Sequence, residues 1–92
     1  MLPLLPLALL IADTPPRNMT VEQLDDGSYR LTVVYSAHAN VELHARMQLR
    51  LMEHAERLCR GRGRAVSAGT LEVNQAPRGR IALSEVYSCQ SR

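Results

Sequence analysis

Apolar and polar residues alternate along residues 19–24 and 29–36, the two-residue period of a strand with one buried face. Between the two runs stands Asp25-Asp26-Gly27-Ser28, whose Asp-Gly step supplies the positive φ of a tight turn, so they predict an antiparallel hairpin. Tyr29, Leu31, Val33 and Tyr35 share one face of the second strand, and Arg30, Thr32 and Val34 the other.

The period then changes. Across residues 39–60, Val41, Ala45, Leu49, Leu51, Met52, Ala55, Leu58 and Cys59 fall on one broad arc at about 100° per residue, opposite Glu42, Arg46, Arg50, Glu53 and Arg57. This predicts one long amphipathic helix whose arc, Cys59 included, points at a sheet. Asn40 suits its N-cap, while Arg57, Arg60 and Gly61 suit its C-terminal end.

Past a connector holding Gly61 and Gly63, residues 65–74 and 80–89 predict two further strands joined by Gln75-Ala76-Pro77-Arg78-Gly79. Ile81, Leu83, Tyr87 and Cys89 share one face of the last strand. Glu85 has the same parity, which requires either a nearby sheet edge or a bulge that shifts the register. The order ββαββ predicts an α+β fold, a four-stranded antiparallel sheet with the helix packed across its apolar face.

Ninety-two residues make one small domain, which excludes a dinucleotide-binding fold, a solenoid and a large multi-step enzyme. The chain divides into a leader (1–12), a linker (13–18) and the α+β domain (19–92). The leader, MLPLLPLALLIA, is uncharged and ends in a small residue, as the apolar core of a secretory signal does, and is too short to span a bilayer. No basic residue precedes the run, and Leu10 stands where a signal cleavage site usually has a small residue. The linker, DTPPRN, carries adjacent prolines that bar a helix.

Cys59 and Cys89 are the two cysteines. In a short exported chain an even count reads as a disulfide, and in the cytosol such a pair is more often reduced or metal-bound. A zinc site would have to draw on His38, His44 and His54, which form neither a CxxC nor an HxxxH spacing, so no metal and no cofactor is expected. A bridge would staple the helix end to the last strand.

All eleven basic residues are arginine, and the net charge is +2. Arg60, Arg62, Arg64, Arg78 and Arg80, with Arg57, would form an anion or polyanion site if their two loops lay at one end of the sheet, since guanidinium groups bind phosphate and sulfate bidentately. The small net charge and the absence of Phe and Trp argue against nucleic acid as the partner. His44 and Gln48 interrupt the apolar arc and need a partner or a marginal place, but no nucleophile or carboxylate stands at a fixed spacing from His44. His38 and His54 are expected in solvent, Met47 and Met52 in the core, and Asp25 and Asp26 in the turn.

The run HAERLCRGRGRAV, followed at the chain end by EVYSC, resembles a pattern in small, functionally uncharacterised proteobacterial exported and periplasmic proteins: an Ala-rich helix ending in Cys, a Gly soon after, and a last strand of aromatic-x-Cys. The matching residues are Ala55, Cys59, Gly61, Gly63, Tyr87 and Cys89. The resemblance implies a periplasmic setting and a disulfide; the lipidation cysteine of the lipoprotein members has no counterpart here.

Together these features lead us to expect a periplasmic or secreted, non-enzymatic domain acting through an envelope protein, a ligand or a second copy of itself. The expected contact surface is the sheet face around Arg30, Thr32 and Val34, or an open sheet edge. The alternative expectation is anion binding by the arginine-bearing loops.

Overall fold

A computed structural model describes residues 14–38, 40–69 and 71–91. The leader expected over residues 1–12 lies outside the described residues.

The elements are β1 (Met19–Gln23), β2 (Tyr29–Ser36), α1 (Val41–Leu58), β3 (Arg64–Ser67), β4 (Glu72–Ala76) and β5 (Arg80–Gln90). The fold is α+β, with one helix on one face of an antiparallel sheet of five strands. The strand order is β1-β2-β5-β3, and β4 pairs with β5 on the same flank as β3.

The first hairpin forms for the local reasons read from its sequence. Leu24 and Ser28 close the loop with a backbone bond of 2.8 Å, and Gly27 takes φ 89°. The Asp26 carboxylate accepts from the Ser28 hydroxyl at 2.6 Å and the Ser28 amide at 3.0 Å, and these bonds hold it below the ordinary carboxylate value. At the far end Asn18, from the proline-rich linker, extends the ladder, its carbonyl accepting from Val34 N at 3.1 Å.

The strand expected over residues 65–74 is two strands. Ala65 pairs with Cys89 and Ser67 with Tyr87, whereas Val73 pairs with Leu83 and Gln75 with Ile81. Between the two segments the chain has gained two residues on β5, so β3 and β4 form one edge interrupted by a bulge. Because the insertion is even, Ala65, Ser67, Val73 and Gln75 keep the same parity and all fall on the helix side.

The sheet core is Met19, Leu31, Val33, Tyr35, Leu83 and Tyr87, and the helix covers it with Met47, Leu51 and Ala55. Asn40 caps the helix, its side chain accepting from Leu43 N at 2.8 Å. Cys59 closes it and is bonded to Cys89, with a Cα separation of 5.3 Å. By loop entropy, closing a segment of this length contributes about 3–4 kcal/mol, a large fraction of what a small domain can have.

The helix lies rotated relative to its apolar arc. Met47 is buried as expected, but His54, expected in solvent, is buried too, and Met52, expected in the core, is exposed. The buried stripe runs through Met47, Leu51, His54 and Ala55, leaving the side of the arc that carries Val41, Leu49 and Met52 uncovered. The arc spans about half of the helix circumference, wider than the face one helix presses onto a sheet, and the helix end is tethered at Cys89, beside Ala65 of β3 and beyond the last β2 partner of β5.

No helix among the described residues is long and apolar enough to cross a membrane.

Candidate functional site

The uncovered side of α1 and the interrupted edge β3–β4 are the two walls of a groove. One stretch, of 460 Å³, is lined by Ala45, Gln48, Leu49 and Met52 from the helix and by Ala65, Ser67, Glu85 and Tyr87 from the sheet. A second, of 370 Å³, lies between Val41, His44, Ala45 and Gln48 and the sheet residues Tyr35, Leu71, Val73 and Leu83. Ala45 and Gln48 belong to both, so the two stretches adjoin along the helix. Val41 is 82% exposed, Val73 60%, Leu49 48% and Met52 43%, so four of the five exposed large apolar side chains among the described residues line this groove, Val66 being the fifth.

The groove carries polar groups on both walls, His44 and Gln48 from the helix and Ser67, Glu85, Tyr87 and Tyr35 from the sheet. Glu85 occupies the helix side of β5 and is 9% exposed. The bulge that its parity demands is in the neighbouring edge and not in β5, whose register on β2 is continuous from Tyr29↔Tyr87 to Ser36↔Arg80. Where that edge breaks, Ser67 donates to Glu85 Oε2 at 2.7 Å, and Tyr87 donates to Oε1 at 2.8 Å. Burial, then the hydrogen bond and charge of Glu85, push the Tyr87 phenol well above its ordinary value, so it stays a donor. Further along, the Tyr35 hydroxyl and His44 Nδ1 share a hydrogen bond, and their rings meet edge to face at 5.1 Å. That bond meets the need of a half-buried histidine for a partner.

The five arginines singled out for anion binding are not brought together. Arg64 pairs with Gln90 at one end of β5, while Arg80 begins the other end, with Arg78 in the turn before it. Ten residues of strand separate the two groups by about 33 Å at ~3.3 Å per residue. Arg60 and Arg62 fall near Arg64, and Arg62 is already engaged, lying over the Tyr29 ring at 5.5 Å and donating to the Tyr29 hydroxyl and to Leu58 O. The condition for a converging cluster, two loops at one end, is not met.

The outer sheet face satisfies its own polar groups. Thr32 and Ser84 share a hydrogen bond of 2.6 Å, and Arg30 reaches Glu22 at 3.2 Å. Cys59 and Cys89 are joined, and among the described residues no group of three His, Cys, Asp or Glu could hold a metal ion.

The helical period alone does not show the groove, because it places the whole apolar arc toward the sheet. The signal lay in its width: eight apolar positions spread over nearly half the helix surface, more than one helix presses onto a sheet. Gly69, inside the run expected to be a continuous strand, falls in the break beside which Ser67 meets Glu85. Comparison of the chain with protein-family models, with curated proteins and with solved structures gives no match.

Proposed function

We propose that this chain is a small exported binding domain, periplasmic or secreted, that acts by contact and not by catalysis, and that its contact surface is the groove between α1 and the β3–β4 edge. The observation that carries this reading is the exposed helical ridge of Val41, Leu49 and Met52, with Val41 opposite Val73 and the other two opposite Ala65 and Ser67. From Val41 to Met52 it runs about 16 Å along the helix, an apolar surface whose exposure to water is unfavourable unless something covers it. The Cys59–Cys89 bridge favours an oxidising compartment, as does the leader-like run at residues 1–12. The engagement of His44 with Tyr35 favours a structural role for the histidine nearest the groove. The outer face around Arg30, Thr32 and Val34 is the weaker surface, since its polar groups are paired with one another.

The test is site-specific photo-crosslinking in a Gram-negative host producing the leader-bearing chain, with benzoylphenylalanine at Leu49 or, as control, at Arg30. Intact-mass analysis of the periplasmic fraction should show an adduct from position 49 and none from position 30. Equal labelling from both positions, no adduct from either, or full-length protein confined to the cytosol would overturn the reading.

A further inference from the structure

Glu85 is out of place in the groove if the groove serves only apolar contact. It is a carboxylate, 9% exposed, on the strand face that otherwise presents Ile81, Leu83 and Tyr87 to the helix. An ionised carboxylate offers about four acceptor positions, and among the described residues two hydroxyls donate to it. One of these is shared, because the single hydroxyl hydrogen of Ser67 also has Gly69 O within 3.1 Å. Among the described residues the one ion pair is Arg30–Glu22, so no described arginine pairs with Glu85. A buried carboxylate without a counter-charge is costly, and a leucine or valine would serve packing better.

We propose that the groove is a binding site for small cationic amphiphiles, an organic ammonium carried on an apolar chain, with Glu85 receiving the head group. The proposal rests on the groove being the contact surface and names the chemistry it selects. Met52, Leu49 and Ala45 border the carboxylate, and the adjoining stretch past Gln48 toward Val41, Leu71 and Val73 takes the chain. Both stretches fall within the roughly 300–1,000 Å³ typical of small-molecule sites. The charge selects the head group: an ammonium pairs with the carboxylate, a neutral alcohol of the same length gains only the apolar wall, and a carboxylate is repelled.

The test is an NMR titration of the oxidised protein with n-octylammonium and with n-octanol, following the amides of Ala45, Leu49, Met52 and Tyr87. Octylammonium should bind about tenfold more tightly than octanol, and Glu85→Gln, which keeps the acceptor for Tyr87, should bring the two within about twofold. Should that variant fail to fold, Gln48→Lys places a cation at the exposed rim and should weaken octylammonium about fivefold while leaving octanol unchanged. Equal affinities in the unaltered protein, or a preference that survives the substitutions, would overturn the proposal while leaving the groove as a contact surface. Absence of binding by either probe, together with no crosslink at position 49, would remove both. A capped lysine-containing pentapeptide that shifts these amides where octylammonium does not would overturn the small-ligand assignment in favour of a protein partner.

Discussion

Tyr87 donates its phenolic hydrogen to Glu85 at 2.8 Å although the two residues stand on the same strand, two apart, on the same face. The bond is made in the buried interior, so it is shielded from competition by water. Tyr87→Phe removes a donor to a buried carboxylate and should cost about 1–3 kcal/mol, read as a lower urea midpoint with an unchanged slope. A loss within experimental error would show that Glu85 finds an equivalent partner elsewhere.

The same pair sets a limit on alkaline stability. Folding raises the Tyr87 pKa above its unfolded value near 10, because burial and the adjacent carboxylate both oppose the phenolate. A raised folded value means that the unfolded chain gives up the proton first as the pH climbs. The stabilisation is therefore complete below about pH 10 and is lost progressively above it, toward the folded-state value. Burial shifts Tyr35 in the same direction, so Tyr87→Phe should reduce the alkaline loss without abolishing it. Urea titrations between pH 8 and about pH 11 would show this as a shallower decline in the variant.

Elements that rest on local chemistry were legible in the sequence, and those that rest on competition between surfaces were not. Asp25-Asp26-Gly27 dictates its turn, and Asn40 its cap, whatever the rest of the chain does. The Cys89 parity that lets it meet Cys59 follows from the two-residue period alone. By contrast, which half of a wide apolar arc is buried depends on where the disulfide and the β2–β5 pair hold the helix, a tertiary outcome invisible to periodicity. The break between Ser67 and Glu72 was hidden because a two-residue insertion preserves parity, so the alternation across residues 65–74 reads as continuous. The candidate site exists through those two hidden features, the rotated helix and the even bulge, whereas the arginines that stood out in the sequence end up at opposite ends of β5.

The rotation of the helix has a direct thermodynamic signature. Leu51 is fully buried and Leu49, two residues away on the same apolar arc, is 48% exposed. Leu51→Ala should cost about 2–5 kcal/mol through lost burial and an unfilled cavity. Leu49→Ala should stay within about 0.5 kcal/mol, the range of ordinary surface substitutions. Comparable losses at the two positions would mean that the exposed ridge is covered in solution by a second copy or by another part of the chain, and sedimentation over a concentration series would tell which.

The disulfide ties elements of unequal support. Beyond it, α1 is held to the sheet by one face of side chains, whereas β5 is held by strands on both flanks. Replacing Cys59 and Cys89 together by Ser should therefore cost about 3–4 kcal/mol and lower Tm by about 15 °C, and hydrogen exchange should rise first in the last turn of the helix. Reduction of the unaltered protein should reproduce the same pattern. Uniform acceleration across the sheet would instead indicate that the helix and sheet come apart only together.

Gly63 joins the bridge to the first residue of β3, and its place admits no side chain. Its φ is 108°, and a Cβ there would run into the Gln90 carbonyl and stand 2.8 Å from Ser91 Cα, both backbone and neither able to swing aside. Gly63→Ala must therefore push the connector off β5 where Arg64 pairs with Gln90, one residue from Cys89. The expected cost is about 3 kcal/mol or more, combining an unfavourable backbone region with the clash, and in so small a domain that is enough to lower the urea midpoint severely. Gly69→Ala supplies the control, since its Cβ would meet nothing within 4 Å. It should be tolerated within about 0.5 kcal/mol and leave the Ser67–Glu85 contact at the break intact. A Gly63→Ala protein as stable as the Gly69→Ala control would show that the connector reaches β5 by a different path, and with it that the helix end is not held where the groove requires.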